Sequence, residues 1–275
     1  MELIRTPLKW VGSKSRIMET LRPHLPAGDR LVEPFAGSCS VMMNTDYDEY
    51  LIADVNADLI ALYQAIASNP FDLIDRTKLL FETYNSADAY YDCRDSFNHD
   101  DDPEWRPALF LYLNRHCYRG LCRYNKQGHF NTPYGHYKKP YFPEKEIHAL
   151  SNKAKRATFI CGGYAETLRL ARDGDVVYCD PPYLTEAGNF TAYTEGGFSH
   201  MDQGRLARKL RRLARKGISV VASNSDVETV HYLYAGFEVV RLNAPRSVGA
   251  AAASQKVAPE LILKSPLDSI AKACA

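Results

Sequence analysis

No apolar run in this chain approaches the ~18–20 residues that a membrane span needs, and Met1 to Lys14 holds no long apolar core. A membrane protein is thereby disfavoured, and a cytoplasmic location is expected. The seven cysteines lack paired spacing, and neither a C-x2-C nor an H-x3–5-H pattern occurs. That disfavours a disulfide framework and a zinc site, so reduced thiols and no metal are expected. No G-x-G-x-x-G is present, which disfavours a dinucleotide cofactor. Charge is also nearly balanced, at a net +1, so attraction to nucleic acid must come from local patches.

What is present is an ordinary globular composition, 45% hydrophobic and 24% charged over 275 residues. Short apolar runs recur at Arg30–Val32, Tyr50–Ala53, Ala157–Cys161, Val176–Cys179, Ile218–Ser223, Phe237–Leu242 and Leu261–Lys264. Helical spacing lies between several of them, as in Leu59, Leu62, Tyr63 and Ile66, or Leu206, Leu210 and Leu213. This alternation predicts an α/β fold with a largely parallel sheet covered on both faces. The rhythm breaks between residues 57 and 143, where helical material surrounds an acidic turn at His99–Pro103. We read 57–143 as a domain inserted into a core made of 1–56 and 144–265, with a disordered tail at 266–275.

Asp180-Pro181-Pro182-Tyr183 directly follows a strand-like run. Proline fixes φ and gives up its N–H, so such a turn presents rigid carbonyl acceptors beside a carboxylate and an aromatic face. A planar amine such as adenine N6 fits that shelf, with Asp180 and the Pro181 carbonyl taking its hydrogens and Tyr183 stacking on the ring. The bland alternative is a strand followed by a stiff turn. Val32-Glu33-Pro34-Phe35-Ala36-Gly37-Ser38 runs a strand into a small-residue turn, where Gly37 lets a ligand approach the backbone. Asp54 lies nineteen residues after Phe35, at the end of the next strand, and suits ribose hydroxyls. A helix N-cap is the competing role for it.

The segment Arg115–Phe142 holds six Lys or Arg, seven Tyr or Phe, and no acid. Basic residues interleaved with aromatics neutralise phosphates, read guanine edges and wedge between bases. Asn125-Lys126-Gln127-Gly128 reads as a hairpin turn within it. The basic run Arg205–Lys216 reads as the solvated face of a crossover helix. Lys9-Trp10-Val11-Gly12-Ser13-Lys14 sets two lysines and an aromatic beside a glycine, a weak signal by itself.

Taken in order, these pieces resemble the Dam-type DNA adenine-N6 methyltransferases in their alpha arrangement. The likeness runs from Thr6 to Lys264 and is most specific at Leu113-Asn114-Arg115, Gly120–Asn125, Lys138–Pro143 and Asn189-Phe190-Thr191. It implies a Rossmann-like, S-adenosylmethionine-dependent methyltransferase sheet with an inserted, mainly helical DNA-recognition domain carrying a β-hairpin. It implies S-adenosylmethionine as donor, and double-stranded DNA as partner with adenine in GATC as target, acted on by a monomer. Trp10, Lys14, Phe35, Gly37, Asp54 and Asp180 are the cofactor residues it suggests. Asp180, Pro181 and Tyr183 form the catalytic set. Lys9, Tyr118, Leu121, Arg123, Pro133 and Tyr137 face DNA by resemblance, with Arg119 and Lys138 added as phosphate contacts.

Two positions depart from the pattern. Cys39 replaces a second glycine in the Phe-x-Gly loop and is expected to crowd the methionine part of the cofactor. The loop after Arg246-Ser247 is alanine-rich at Ala250–Ala253 instead of polar. Cytosine-N4 methylation usually carries Ser where Asp180 stands, and glutamine methylation favours Asn there. A DNA-binding regulator without catalysis would not need an intact Asp180 and cofactor loop. No cysteine follows a proline, so the Pro-Cys nucleophile of cytosine-C5 methylation is disfavoured.

Overall fold

A computed structural model describes residues 3–100, 102–184, 198–244 and 258–266. Each of the seven apolar runs is a strand: β1 (Arg30–Glu33), β2 (Glu49–Asp54), β3 (Ala157–Cys161), β4 (Asp175–Cys179), β5 (Ser219–Ser225), β6 (Glu238–Ala244) and β7 (Ala258–Lys264). They form one sheet in the order β3-β2-β1-β4-β5-β7-β6. β1 to β5 are parallel, whereas β7 runs antiparallel to both β5 and β6.

Alternate side chains of a strand point to opposite faces, so one strand feeds two cores. Leu31, Ile52, Val176 and Tyr178 enter a large cluster on one face, while Val32, Leu51, Val177 and Cys179 enter a second on the other. This two-sided burial explains why the parallel strands read as unbroken apolar runs.

Between the strands lie α1 (Met18–Leu21), α2 (Ser40–Met43), α3 (Ala57–Ser68), α4 (Pro70–Thr83), α5 (Ala87–His99), α6 (Arg106–His116), α7 (Glu144–Ala154), α8 (Tyr164–Thr167), α9 (His200–Arg215) and α10 (Glu228–Leu233). Asn56 caps α3 by accepting from Leu59 N at 3.0 Å, and Leu59, Leu62, Tyr63 and Ile66 are fully buried. Burying each such side chain contributes roughly 1.5–3 kcal/mol. In α9, Ser199 and Asp202 form a capping box, Leu206, Leu210 and Leu213 face inward, and Gly217 follows at φ 87°.

Residues 57–143 are mainly helical. α6 is buried from Pro107 to His116 because α3, α4 and α5 enclose it. The turn at Asn125–Gly128 is closed by Gly128 N donating to Asn125 O at 3.0 Å and Asn125 N to His129 O at 2.9 Å. Its arms meet only in isolated bridges, Tyr124 with Phe130 and Cys117 with Tyr134. Around the Tyr124–Phe130 bridge the cross-arm bonds run from Asn125 N to His129 O and from Asn131 N to Arg123 O, both at 2.9 Å, so the Phe130 amide and carbonyl face away from the other arm. Asn98 of α5 binds that outer side, its side chain accepting from Phe130 N at 2.7 Å and donating to Phe130 O at 3.0 Å. Pro133 then has no N–H to offer. Asn189-Phe190-Thr191, Arg246-Ser247, Ala250–Ala253 and residues 267–275 lie outside the described residues.

Candidate active site

Three adjacent central strands each deliver a carboxylate at or just beyond the C-terminal end: Asp54 from β2, Glu33 from β1 and Asp180 after β4. The strand order changes direction between β1 and β4, where open α/β sheets bind ligands. A cavity of about 450 Å³ lies there, lined by all three carboxylates together with Trp10, Lys14, Phe35, Gly37, Pro181 and Tyr183. The cofactor and catalytic residues expected from the sequence therefore share one cavity.

Asp54 staples the wall on its side. Its Oδ2 accepts from Gly37 N and its Oδ1 from Asn56 N, both at 3.0 Å. Burial raises its pKa, while the amides of Asn56, Gly37 and Val55 oppose that rise. Asn56, and not Asp54, caps α3, which disposes of the helix-cap role. Gly37 sits at φ 46°, and a Cβ there would lie 2.8 Å from Trp10 Nε1. Tyr63 OH donates to Gly37 O at 2.5 Å. Phe35 stacks on Tyr164 at 5.6 Å and meets Phe198 edge-on at 5.7 Å, giving an aromatic wall.

Cys39 does not crowd the cavity. It is fully buried in the core and absent from the lining. Its backbone takes the left-handed conformation, φ 57°, that glycine adopts without strain. The departure from the family pattern thus falls on the backbone instead of the ligand space.

On the other side, Lys14 Nζ lies 2.8 Å from Asp180 Oδ1 and 3.2 Å from Glu260 Oε1, and donates to Gly12 O at 3.2 Å. Burial works against its ammonium, but the two carboxylates outweigh that and raise its pKa. Asp180 is pushed up to about 6, by burial first and by Glu260, with Lys14 opposing. At 2.8 Å the Lys14 ammonium is both the ion-pair partner of Asp180 Oδ1 and a hydrogen-bond donor to the carboxylate. Tyr183 OH donates to Glu260 Oε1, and Lys14 Nζ stands 4.8 Å from the Tyr183 ring centroid. Gln203 Nε2 occupies the Pro182 carbonyl at 2.8 Å, whereas no donor among the described residues reaches the Pro181 carbonyl. Glu33 is fully buried and pushed up to about 8, by burial first and by nearby Asp180, with the Met42 amide opposing. Its Oε1 has no hydrogen-bond partner.

These features fit a cationic nucleoside. Asp54 suits ribose hydroxyls, the Phe35–Tyr164–Phe198 wall suits a purine, and the orphaned Glu33 oxygen suits an ammonium group. Among the described residues no cluster of three or more His, Cys, Asp or Glu could hold a metal ion, and no helix is long and apolar enough to cross a membrane.

The expected DNA-facing residues gather in and around residues 57–143. Tyr118, Arg119, Arg123, Pro133 and Lys138 are exposed, while Lys9, Leu121 and Tyr137 are half-buried. Tyr137 OH accepts from Arg119 N at 3.1 Å, and its ring carries Lys9 Nζ at 3.7 Å. Burial, then the charge of Arg115, lowers the pKa of Lys9, with Cys117 opposing. Arg123 is held by Asn131, with Nε donating to Oδ1 at 2.6 Å and Nη2 to the backbone carbonyl at 3.1 Å. Tyr124 OH donates to Asp58 Oδ2 at 2.7 Å, and Cys122 lines the cavity, so the basic segment borders the site.

The sequence reading missed Glu260, Glu33, Tyr164 and Phe198. Glu260 left one trace, a carboxylate at the head of the apolar Leu261-Ile262-Leu263. Tyr164 follows Gly162-Gly163 at the end of β3, another strand end with small residues.

Comparison with known proteins identifies the family. The profile of the D12 class N6 adenine-specific DNA methyltransferases matches residues 10–248. The chain is 52% identical to the Retron Ec67 DNA adenine methylase of Escherichia coli, over 94% of this chain and 91% of that protein. It is 47% identical to the DNA adenine methylase of Serratia marcescens, covering 88% and 92%. Against the DNA adenine methylase of Escherichia coli strain K12 it is 42% identical, covering 95% of each. With its mostly parallel Rossmann-like sheet and this cavity, the chain belongs to the D12 class of N6 adenine-specific DNA methyltransferases.

Proposed function

We propose that this chain methylates N6 of adenine in GATC sites of double-stranded DNA, acting as a cytoplasmic monomer with S-adenosylmethionine as donor. The observation that carries this reading is one cavity, with Asp54 on one side of β1 and the Asp180–Tyr183 shelf on the other. Residues 57–143 read the duplex, and 1–56 with 144–265 hold the chemistry.

S-adenosylmethionine supplies a methyl group already activated on a sulfonium, so no metal is required. The target adenine leaves its stack, at a cost of a few kcal/mol, and enters the cavity. Asp180 and the Pro181 carbonyl accept the two hydrogens of its amine, and Tyr183 stacks on the ring. The amine lone pair is thereby turned toward the methyl for in-line attack, without a covalent enzyme intermediate. Catalysis rests on positioning and on acceptors that favour charge developing at N6.

Methylation-sensitive digestion of duplexes exposed to the purified protein and S-adenosylmethionine tests this. GATC sites should change sensitivity while duplexes altered at one base pair do not. Asp180→Ala should abolish the change and still bind the cognate duplex. Modification spread equally over altered sites would overturn the sequence assignment, and an active Asp180→Ala would overturn the catalytic one.

A further inference from the structure

We infer that Glu260 is a positioning residue for methyl transfer, holding the Tyr183 ring through its hydroxyl and sharing Lys14 with Asp180 so that the site keeps one net negative charge. This rests on the proposed role of Asp180.

β7 places Glu260 where no sequence motif points. Glu260 pairs in register with Ser225 on β5 and Leu242 on β6, at the cavity end of the sheet. It is 8% exposed, and it binds Tyr183 and Lys14 at once. A buried carboxylate with two partners carried by distant segments is costly to desolvate unless it does something for them. Ser225 Oγ also donates to Leu184 O at 2.6 Å, so the adjoining strand secures the chain just after Tyr183.

The charge arithmetic gives Glu260 its role. Lys14 contributes one positive charge, and Asp180 and Glu260 contribute one negative each. During the transfer a carbon–nitrogen bond forms as the carbon–sulfur bond breaks, its electron pair going to sulfur. A unit positive charge moves onto N6 and is lost when N6 gives up a proton to water. With Glu260 in place, Lys14 is divided between two carboxylates and Asp180 faces that charge undiminished. Without it, Lys14 and Asp180 form a closed neutral pair. Removing a preorganised electrostatic element of this kind costs roughly tenfold or more in rate.

The groups facing Asp180 are Lys14 from the turn after Trp10, Glu33 from β1, Tyr178 from β4, Tyr183 from its own loop, and Glu260 from β7. Of these, Glu260 opposes ionisation of Asp180. Losing the Glu260 charge should therefore move the acidic limb of kcat to lower pH.

Three variants of the full chain test this: Glu260→Gln, Glu260→Asp and Asp180→Ala. Single-turnover methylation is followed across pH, and calorimetry measures S-adenosylmethionine and duplex binding. Glu260→Gln should lower the plateau rate roughly tenfold or more, shift the acidic limb to lower pH, and leave both affinities within about twofold. Glu260→Asp should restore the limb to its parental position. An unchanged plateau, or a lowered plateau with an unmoved limb, beside an inactive Asp180→Ala, would overturn the inference alone. An active Asp180→Ala would instead remove the reading on which it rests.

Discussion

Asn114 grips Lys9 by both backbone groups, its Oδ1 accepting from Lys9 N at 2.9 Å and its Nδ2 donating to Lys9 O at 2.7 Å. Asn114 is fully buried on α6, so the N-terminal segment that carries Trp10 and Lys14 is strapped to the insert. The end of the Lys9 side chain then closes on the Arg115 carbonyl at 3.2 Å.

Asn114→Ala should destabilise the fold by about 1–3 kcal/mol, because it leaves buried backbone groups unpaired. Asn114→Asp should fare little better, since a carboxylate cannot donate to Lys9 O. Urea midpoints of the two variants and the parent, at unchanged slope, check this.

Asp54→Ala should weaken S-adenosylmethionine binding by roughly 1.5–3 kcal/mol if a ribose hydroxyl pair is its partner. Titration calorimetry reads it directly. Because Asp54 also holds the Gly37 and Asn56 amides, thermal unfolding of the free protein should be measured alongside. An affinity equal to the parent's would reduce Asp54 to a staple of the loop.

Much of this architecture was legible because burial on both faces leaves a plain trace. Tyr50–Ala53 and Val176–Cys179 could be read as strands with no knowledge of their partners. The same holds for Asp54 and Asp180, which stand at strand ends beside small or rigid residues. Glu260 was illegible for the opposite reason. Its partners Lys14 and Tyr183 are 246 and 77 residues away in sequence, and only the position of β7 between β5 and β6 brings them together. That insertion depends on strand pairing, which periodicity does not encode. Asn98 was hidden likewise: an asparagine on a helix gives no hint that it will bind both backbone groups of Phe130.

Glu33 should make stability fall as pH rises. Its folded pKa of about 8 lies above the ordinary 4.5, so the folded state holds the extra proton between those values. Folding stability is therefore lost as pH climbs through that window. Glu33→Gln removes the titration and should gain on the parent with rising pH, by a few kcal/mol at most. Urea unfolding at about pH 5 and pH 8 decides it, and a constant difference between the two proteins would refute the buried-acid account.

Arg123→Ala should raise methylation of sites altered at one base pair relative to GATC, because a bidentate guanine contact contributes about 1–3 kcal/mol of discrimination. Arg119→Ala should weaken all duplexes alike and lower the salt slope by about one unit. Asn131→Ala, which removes the side-chain anchor of the Arg123 guanidinium and leaves the backbone one, should reproduce part of the Arg123 effect. Rates on cognate and singly altered duplexes at fixed salt separate these outcomes. Equal losses on every duplex for Arg123→Ala would make it a backbone contact.

The place of β7 also sets a timetable. β6 is made before β7 yet lies outside it, so β6 cannot join the sheet until β7 has wedged in against β5. A ribosome that has released residues up to about 230 has already delivered Lys14, Asp54, Asp180 and Tyr183, but not the carboxylate that anchors the last of these. Such a nascent chain could hold the five parallel strands around an unfinished cavity. Competence would then arrive in one late step, after residue 264 has emerged.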